Sequence, residues 1–445
     1  MKLKKISVIL IIVLLLNGCT DNSYILTPNY DSIETLSSIN VINNISEKLV
    51  EHEINEVSIT AVGDIMFHKW QLQRAYDEHN DSFDFLPSFT YVRDFLSESD
   101  FTVGNLETTL AGRHKGRNYR MDNAFQGYHG YPCFNTPEIL AKNLKDIGFD
   151  LVSTCNNHSL DSKSAGVKST LDRLDEQGIS HVGTYRNEEE ASEILIKNIN
   201  DINFAFVSYT YGTNGYVIPE DEPYLINTLE TYDENRKSNI YDENKINEMI
   251  EDVKKADETK ADMVVVIIHF GNEYFDFPNS HQRKIVDRLF DAGADIILGS
   301  HPHVLQPIEI RDIEDEDGTI RKGVVIYSLG NFISSQRYSK ERPVNTDIGA
   351  IMDINIRKID NHKPEIVSLS LIPTCVYRNN TELGVLPVDK ILDNMDKLDI
   401  EFDKYDYTMN RLQYTKNKTI KHLLSYVDTP YEYKNYKYTI SIKDK

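Results

Sequence analysis

Two segments of the chain, "ADMVVVIIHF" at 261–270 and "ADIILGSH" at 294–301, are apolar at nearly every position and show no alternation with polar residues. A strand of that kind has no side to turn to water, so it belongs in a parallel sheet covered on both faces. Each is preceded by a helical pattern, "NKINEMIEDVKKA" and "SHQRKIVDRLFDAG", that ends at Ala or Gly. The same rhythm starts at residue 57 with "VSITAV", "DFTVG", the amphipathic "TPEILAKNLKDIG", "FDLVST" and "AGVKSTLDRLDEQG", and it continues through "INFAFVSYT". Such alternation specifies an α/β domain. From 323 the helical patterns stop and "GVVIYSLGNFI", "GAIMDINIR" and "EIVSLSLIPTCVYR" crowd together, which adds an antiparallel portion and implies two sheets.

Upstream of that pattern, "MKLKK" is basic, "ISVILIIVLLL" is apolar throughout and "NGCTDNS" turns abruptly polar. This is the layout of a secretory signal. The apolar run falls short of the roughly 20 residues that cross a bilayer as a helix, so cleavage is expected. Gly18 and Cys19 resemble a bacterial lipoprotein box, which makes Cys19 the lipid-bearing residue after removal of 1–18; a plain secretory signal is the alternative. Residues 19–56, rich in Asn, Ser, Thr and Glu without a sustained period, read as a tether. The domain then spans 57–380, and 381–445 reads as an extension with one helical stretch, "VDKILDNMDKLDI", and a Tyr- and Lys-rich tail. Setting Cys19 aside, Cys133, Cys155 and Cys375 give neither a disulfide framework nor a CxxC zinc site.

The formal net charge is -22, from 48 Lys plus Arg against 70 Asp plus Glu; loss of Lys2, Lys4 and Lys5 with the signal makes it -25. Such a surface repels polyphosphate backbones, so nucleic acid is excluded as a partner. One basic stretch stands out, "GRHKGRNYR" at 112–120, and it reads either as a solvated loop or as a site for an anionic substrate at Arg113 and Arg117.

Polar groups recur at one kind of place. Asp64 follows "ITAVG", Asn105 and Glu107 follow "FTVG", Asn156, Asn157 and His158 follow "LVSTC", His269 follows "VVVII", His301 and His303 follow "DIILGS", and Asn331 follows "VIYSLG". Each lies at the carboxyl end of a strand pattern, where open α/β sheets build their ligand crevices. Carboxylate, amide and imidazole brought to one spot make a metal site, and the absence of thiolate suits Zn, Mn or Fe. In "SHPH" an extended backbone would aim His301 and His303 to the same side, with Pro302 stiffening the link. Cys155 reads as a packing residue, since no basic neighbour is evident to lower its pKa.

The ordered motifs "GDIMFH", "GNLETTL", "CNNHSLD", "HFGNEY", "GSHPHVLQ" and "SLGNF" resemble the CapA family of capsule and poly-γ-glutamate synthesis proteins, a branch of the calcineurin-like metallophosphatase superfamily. The resemblance covers 57–375. It implies a four-layer α/β/β/α sandwich with two divalent metal ions: Asp64 and His303 on the first, His269 and His301 on the second, Asn157 as the amide ligand, and Glu107 bridging. It further implies that His158 is the general acid or the substrate-orienting histidine. The pattern departs from the phosphatases at two points. DxH is here DxxxH, which leaves His68 as a ligand or a loop residue, and Asn105 and Glu107 stand where GDxxD is usual. Glu273 reads as a carboxylate bracing a ligand, an acid or base, or a salt-bridge partner; Gln306 and Asn331 read as amides facing substrate or bracing backbone.

Three functions follow as expectations. The chain acts in synthesis, export or attachment of an anionic surface polymer, on the outer face of the cell membrane through a lipid anchor and beside the membrane synthesis machinery. Alternatively it is a free-standing metal-dependent hydrolase of phosphodiester or γ-glutamyl amide bonds, or a non-catalytic partner of a membrane polymer synthase.

Overall fold

The computed structural model describes residues 52–113, 124–233, 238–315, 317–379, 383–397, 402 and 404–442. The expected signal and lipidated Cys19, nearly all of the tether, and Arg117 lie outside the described residues. The molecular unit from Glu53 to Lys445 is built on two large sheets. The strands that matter for the site are β1 (Ile54–Ile65), β2 (Phe101–Leu106), β3 (Leu151–Ser153), β4 (Ser180–Val182), β5 (Leu195–Ile199), β6 (Ile202–Thr210), β7 (Met263–His269) and β8 (Ile296–Ser300). They are followed by β9 (Leu305–Glu314), β10 (Ile320–Leu329), β11 (Asn331–Ile333), β12 (Ile348–Ile359), β13 (Glu365–Arg378), β14 (Leu383–Pro387), β15 (Tyr431–Lys434) and β16 (Lys437–Ser441).

The first sheet has ten strands in the order β15-β16-β13-β12-β1-β2-β3-β4, with β11 on β1 and β14 on β13. From β1 to β4 the pairing is parallel; from β12 to β15 it is antiparallel. The second sheet runs β9-β10-β8-β7-β6-β5 and is parallel through β6, β7, β8 and β10. Thus the strand-rich stretch after 323 divides: β10 joins the second sheet in parallel, and β12 and β13 extend the first in antiparallel.

The apolar run of β7 shows why two layers of helix are needed. Met263, Val265 and Ile267 point into a core shared with Ile59 and Val103 of the first sheet, whereas Val264, Val266 and Ile268 point outward. The outward set is covered by α4 (Glu243–Asp257), through Met249 and Val253, and by α5 (Ser280–Asp291), through Val286 and Leu289. On the opposite flank, Val62 and Val152 meet Leu140, Ala141 and Leu144 of α2 (Ile139–Asp146) and Leu174 of α3 (Lys163–Glu176). Between α2 and the amino end of the fold lies the short α1 (Lys69–Ala75). The result is helix, sheet, sheet, helix, as expected for the four-layer sandwich. Helix starts are chemically marked: Asn279 accepts the His281 and Gln282 N–H groups at α5, and Asp242 accepts that of Asn244 at α4.

Residues after 380 take part in this architecture. β14 and β16 both pair with β13, α6 (Val388–Asn394) packs Val388 and Ile391 beside Tyr377, and α7 (Tyr405–Leu423) brings Ile420 and Leu423 into the core between the sheets. Buried Arg411 on α7 grips Asp347 with two hydrogen bonds, 2.9 and 2.6 Å. The sequence pattern did not foresee α7. None of the described helices is long and apolar enough to cross a membrane.

Candidate metal centre

The parallel strands of both sheets end at one edge, and their registers place the polar residues. Asp64 is opposite Asn105 across β1 and β2 and opposite Asn331 across β1 and β11; His269 is opposite Ser300 across β7 and β8. Irregular pairing on both sides of Asp64 re-aims the end of β1, as bulges do beside active sites. Only glycine fits before it, because a Cβ on Gly63 would stand 1.9 Å from the Gly330 carbonyl oxygen.

Two pairs of side chains face each other across Glu107. On one side, His303 Nδ1 lies 3.0 Å from Asp64 Oδ2; on the other, His269 Nε2 lies 3.0 Å from Asn157 Oδ1. Glu107 Oε1 is 3.6 Å from His269 Nε2 and 3.9 Å from His303 Nε2. Asp64, Glu107 and His269 offer ligand atoms all within 4.8 Å of one another. Glu107 is fully buried, and neither of its carboxylate oxygens has a hydrogen-bond partner. Burial first, then the charges of Asp64 and Glu273, push its carboxyl well above the usual range. An ionised carboxylate so placed costs several kcal/mol unless a cation meets it. The donor set therefore fits a divalent metal.

The imidazoles are tuned for the same task. Burial, reinforced by neighbouring imidazoles, holds His269 and His301 well below the ordinary histidine pKa, so both stay neutral near pH 7 with a lone pair to offer. A neutral ring carries one N–H. His269 Nδ1 is 2.8 Å from Ser300 Oγ, so Ser300 is in place to accept that proton and leave Nε2 free to bind a cation. His301 Nδ1 is buried without a partner, its ring 4.8 Å from that of His269 and 4.4 Å from that of Tyr211.

The extended backbone expected for "SHPH" is not what forms. His301 and His303 have φ values of 98° and 57°, in the left-handed region. Residues 301–304 carry the chain from the end of β8 to the start of β9, which lies on the far side of β10, and so short a connection has to turn sharply. Backbone held in this region costs roughly 1–3 kcal/mol per residue and clusters at functional sites.

Next to these side chains, His158 Nδ1 lies 2.7 Å from Asp161 Oδ2, and the His158 ring stands edge-on to Phe134 at 4.7 Å. Both residues line a cleft of about 730 Å³ together with Asn157, Asn214, Lys163 and Glu273. Lys163 holds its ammonium 3.6 Å from the centre of the Tyr216 ring. Asp161, Ser300 and Lys163 were not singled out in the sequence. The "HSLD" spacing could have flagged Asp161, since a turn brings positions three apart together; Ser300 becomes visible only through strand register.

The remaining candidates brace the site or stand apart from it. Asn105 donates to Asp64 Oδ1 at 2.8 Å, and Asn156 donates to Asn105 Oδ1 and to the Leu106 carbonyl. Gln306 ties Gln282 to the Phe275 carbonyl, fixing the loop that carries Glu273. Asn331 donates to the Thr346 carbonyl, with its own Oδ1 buried and unpartnered. His68 accepts the Ser335 N–H at Nδ1 (3.3 Å) and packs on Phe134 at the start of α1, its pKa lowered by burial to about 4. Arg113 is held bidentately by Asp81. Cys155 is buried against the Asn227 carbonyl, and burial pushes its thiol up.

Similar proteins put this geometry in context. "Capsule biosynthesis protein CapA" of Bacillus anthracis is 28% identical over 347 residues, 75% of each chain. "PGA biosynthesis protein CapA" of Bacillus subtilis (strain 168) is 28% identical over 326 residues, 73% of this chain and 74% of its own. The calcineurin-like phosphoesterase YfkN of Bacillus subtilis aligns at 15% identity with a TM-score of 0.40, covering 82% of this chain and 100% of that structure. The sequence model described as "Bacterial capsule synthesis protein PGA_cap" matches residues 58–336, a span that includes Asp64, Glu107, Asn157, His269, His301 and His303, and the chain belongs to that family.

Proposed function

We propose that the protein acts in making, exporting or attaching an anionic surface polymer, poly-γ-glutamate or capsule, through hydrolytic or transfer chemistry at a centre for two divalent cations. The observation that carries this reading is Glu107, buried with both oxygens unpartnered between the Asp64–His303 and Asn157–His269 pairs. Asp64 and His303 would hold one cation, Asn157, His269 and His301 the other, and Glu107 both. Bound there, divalent cations supply Lewis acidity and a nucleophile usable at neutral pH. The chain supplies the rest. Asp161 accepts the Nδ1 proton of His158, fixing the ring so that Nε2 serves the leaving group as acid or base. Lys163, on the cleft wall, balances the charge of an anionic chain. The basic, apolar, then polar beginning of the sequence supports export and lipid anchoring at Cys19.

The test is genetic and chemical together. A strain lacking the gene is expected to lose or mislocate its surface polymer, with restoration by the wild-type chain and none by His269→Ala. Unchanged polymer amount, length and attachment in the deletion strain would sink the reading. Restoration by His269→Ala would favour a non-catalytic partner of the synthase. The open cleft beside the ligands also favours a second reading, a free-standing hydrolase of phosphodiester or γ-glutamyl bonds; turnover of such substrates by purified protein from a strain whose polymer does not depend on the gene would support it.

A further inference from the structure

Away from the cleft, two arginines from separate elements meet at the chain's single tryptophan, Trp70, and a third stands beside one of them. Arg74 on α1 and Arg378 at the end of β13 both lie over its ring, with guanidinium carbons 5.1 and 4.0 Å from the centroid. Arg337, in the loop after β11, lines a small cavity with Arg378. The polar contact of Arg378 is a long one, 3.4 Å to Ser335 Oγ. Among the described residues none of the three arginines forms an ion pair with a carboxylate. Elsewhere this chain does pair its arginines: Arg186, Arg311, Arg321 and Arg411 each hold at least one.

That contrast needs a cause. A like-charged cluster with no carboxylate partner among the described residues is a cost in a chain that has 70 acidic residues. Burial, then the guanidiniums of Arg337 and Arg74, pull Arg378 below the ordinary arginine value. Stacking on Trp70 holds the planar forks of Arg74 and Arg378 in place, the arrangement suited to bidentate capture of carboxylate or phosphate. The cluster is also linked to the cleft. Ser335 donates its N–H to His68, the His68 ring packs on Phe134, and Phe134 packs on His158.

We infer that Arg74 and Arg378, held on Trp70, form with Arg337 beside Arg378 an anion-binding site that holds carboxylates of a polymer chain at a distance from the metal centre. The choice of a polycarboxylate rests on the function proposed above; the anion site itself does not.

Because Trp70 is the only tryptophan, intrinsic tryptophan fluorescence of the purified full chain reads this site and no other. Titration with poly-γ-glutamate is expected to give a saturable change in emission that weakens as salt rises, since screening shortens from about 10 Å at 0.1 M to about 3 Å at 1 M. The Arg337→Gln/Arg378→Gln double variant should bind about tenfold more weakly or worse. Exposed Arg74→Gln should weaken binding without a folding defect, and Arg378→Lys, which keeps charge but loses the fork, should not restore full affinity. No emission change, or an unaltered titration in folded variants, overturns the site. Saturation with inorganic pyrophosphate and none with poly-γ-glutamate overturns the carboxylate assignment. A saturable response alongside normal polymer in the deletion strain would overturn the proposed function while leaving the anion site standing.

Discussion

His303 Nδ1 lies 3.0 Å from Asp64 Oδ2, although 239 residues separate the two in sequence. The contact joins the carboxyl ends of β1 and β8, one from each sheet, so it forms only when both sheets are assembled face to face. A cation held by side chains from both halves of the sandwich would make its binding and sheet packing parts of one equilibrium.

Glu107→Gln separates the cost of the buried charge from its use. In metal-free protein, exchanging an unpartnered carboxylate for a neutral amide should leave stability unchanged or raise it by about 1–3 kcal/mol. Adding Mn or Zn should raise the wild-type melting temperature and leave that of the variant nearly unmoved. Differential scanning calorimetry with and without metal, beside elemental analysis, checks both halves; equal metal content in the two proteins would remove Glu107 from the ligand set.

Ser300→Ala leaves His269 in the cluster and takes away the acceptor for its Nδ1 proton. Loss of such an orienting partner typically lowers metal affinity about 10- to 100-fold. Competition with a chelator of known affinity measures this, and an unaltered affinity would mean that Ser300 does not set the ring.

His158→Gln and Asp161→Asn address the acid or base. Each should retain bound metal, and His158→Gln should slow turnover of a phosphodiester or γ-glutamyl substrate by about 10²- to 10⁴-fold. A smaller loss is expected for Asp161→Asn, which keeps the ring but weakens its anchor. Metal loss in either variant would contradict the separation of roles.

A pH effect is expected far from the site. Asp295 is buried, accepts the Val264 N–H at 2.8 Å, and meets Arg321 at 3.1 Å. Burial outweighs the arginine and raises its pKa from 3.8 to about 6. The folded chain thus keeps a proton that the unfolded chain releases, and stability falls as pH rises from 3.8 to about 6, by about 3 kcal/mol in all. Asp295→Asn should flatten that part of a stability-against-pH curve measured by urea unfolding; an identical slope in wild type and variant would refute the assignment.

Ending the chain at residue 380 should abolish soluble folding. That cut removes β14, β16 and α7, uncovers β13, and leaves Asp347 buried without Arg411. Unpairing a buried ion alone typically costs about 3–5 kcal/mol, a large share of a domain's net stability. Expression followed by circular dichroism decides the matter.

Much of this was legible in the sequence, and the reasons differ by element. The β7 run announced burial on both faces because no position in it tolerates water, and the polar residues that end the strands met because parallel strands share an edge. α7 escaped notice because the face it buries mixes Leu412, Ile420 and Leu423 with Thr415, Thr419 and Arg411, which blurs the apolar period. Asp161 and Ser300 are residue types found in every loop, and only their distances to His158 and His269 distinguish them. The alternation that should have aimed His301 and His303 together failed because the connection from β8 is too short to stay extended.

The pairing of β16 with β13, Ser368 opposite Ser441 and Leu371 opposite Tyr438, has a consequence for how the molecule comes into being. The sheet that presents Asp64 and Glu107 receives one of its inner strands, β16, from a segment that follows every other strand of either sheet described above. A growing chain that has not yet delivered residues 437–441 cannot complete that sheet, so closure of the edge bearing Asp64 waits for them.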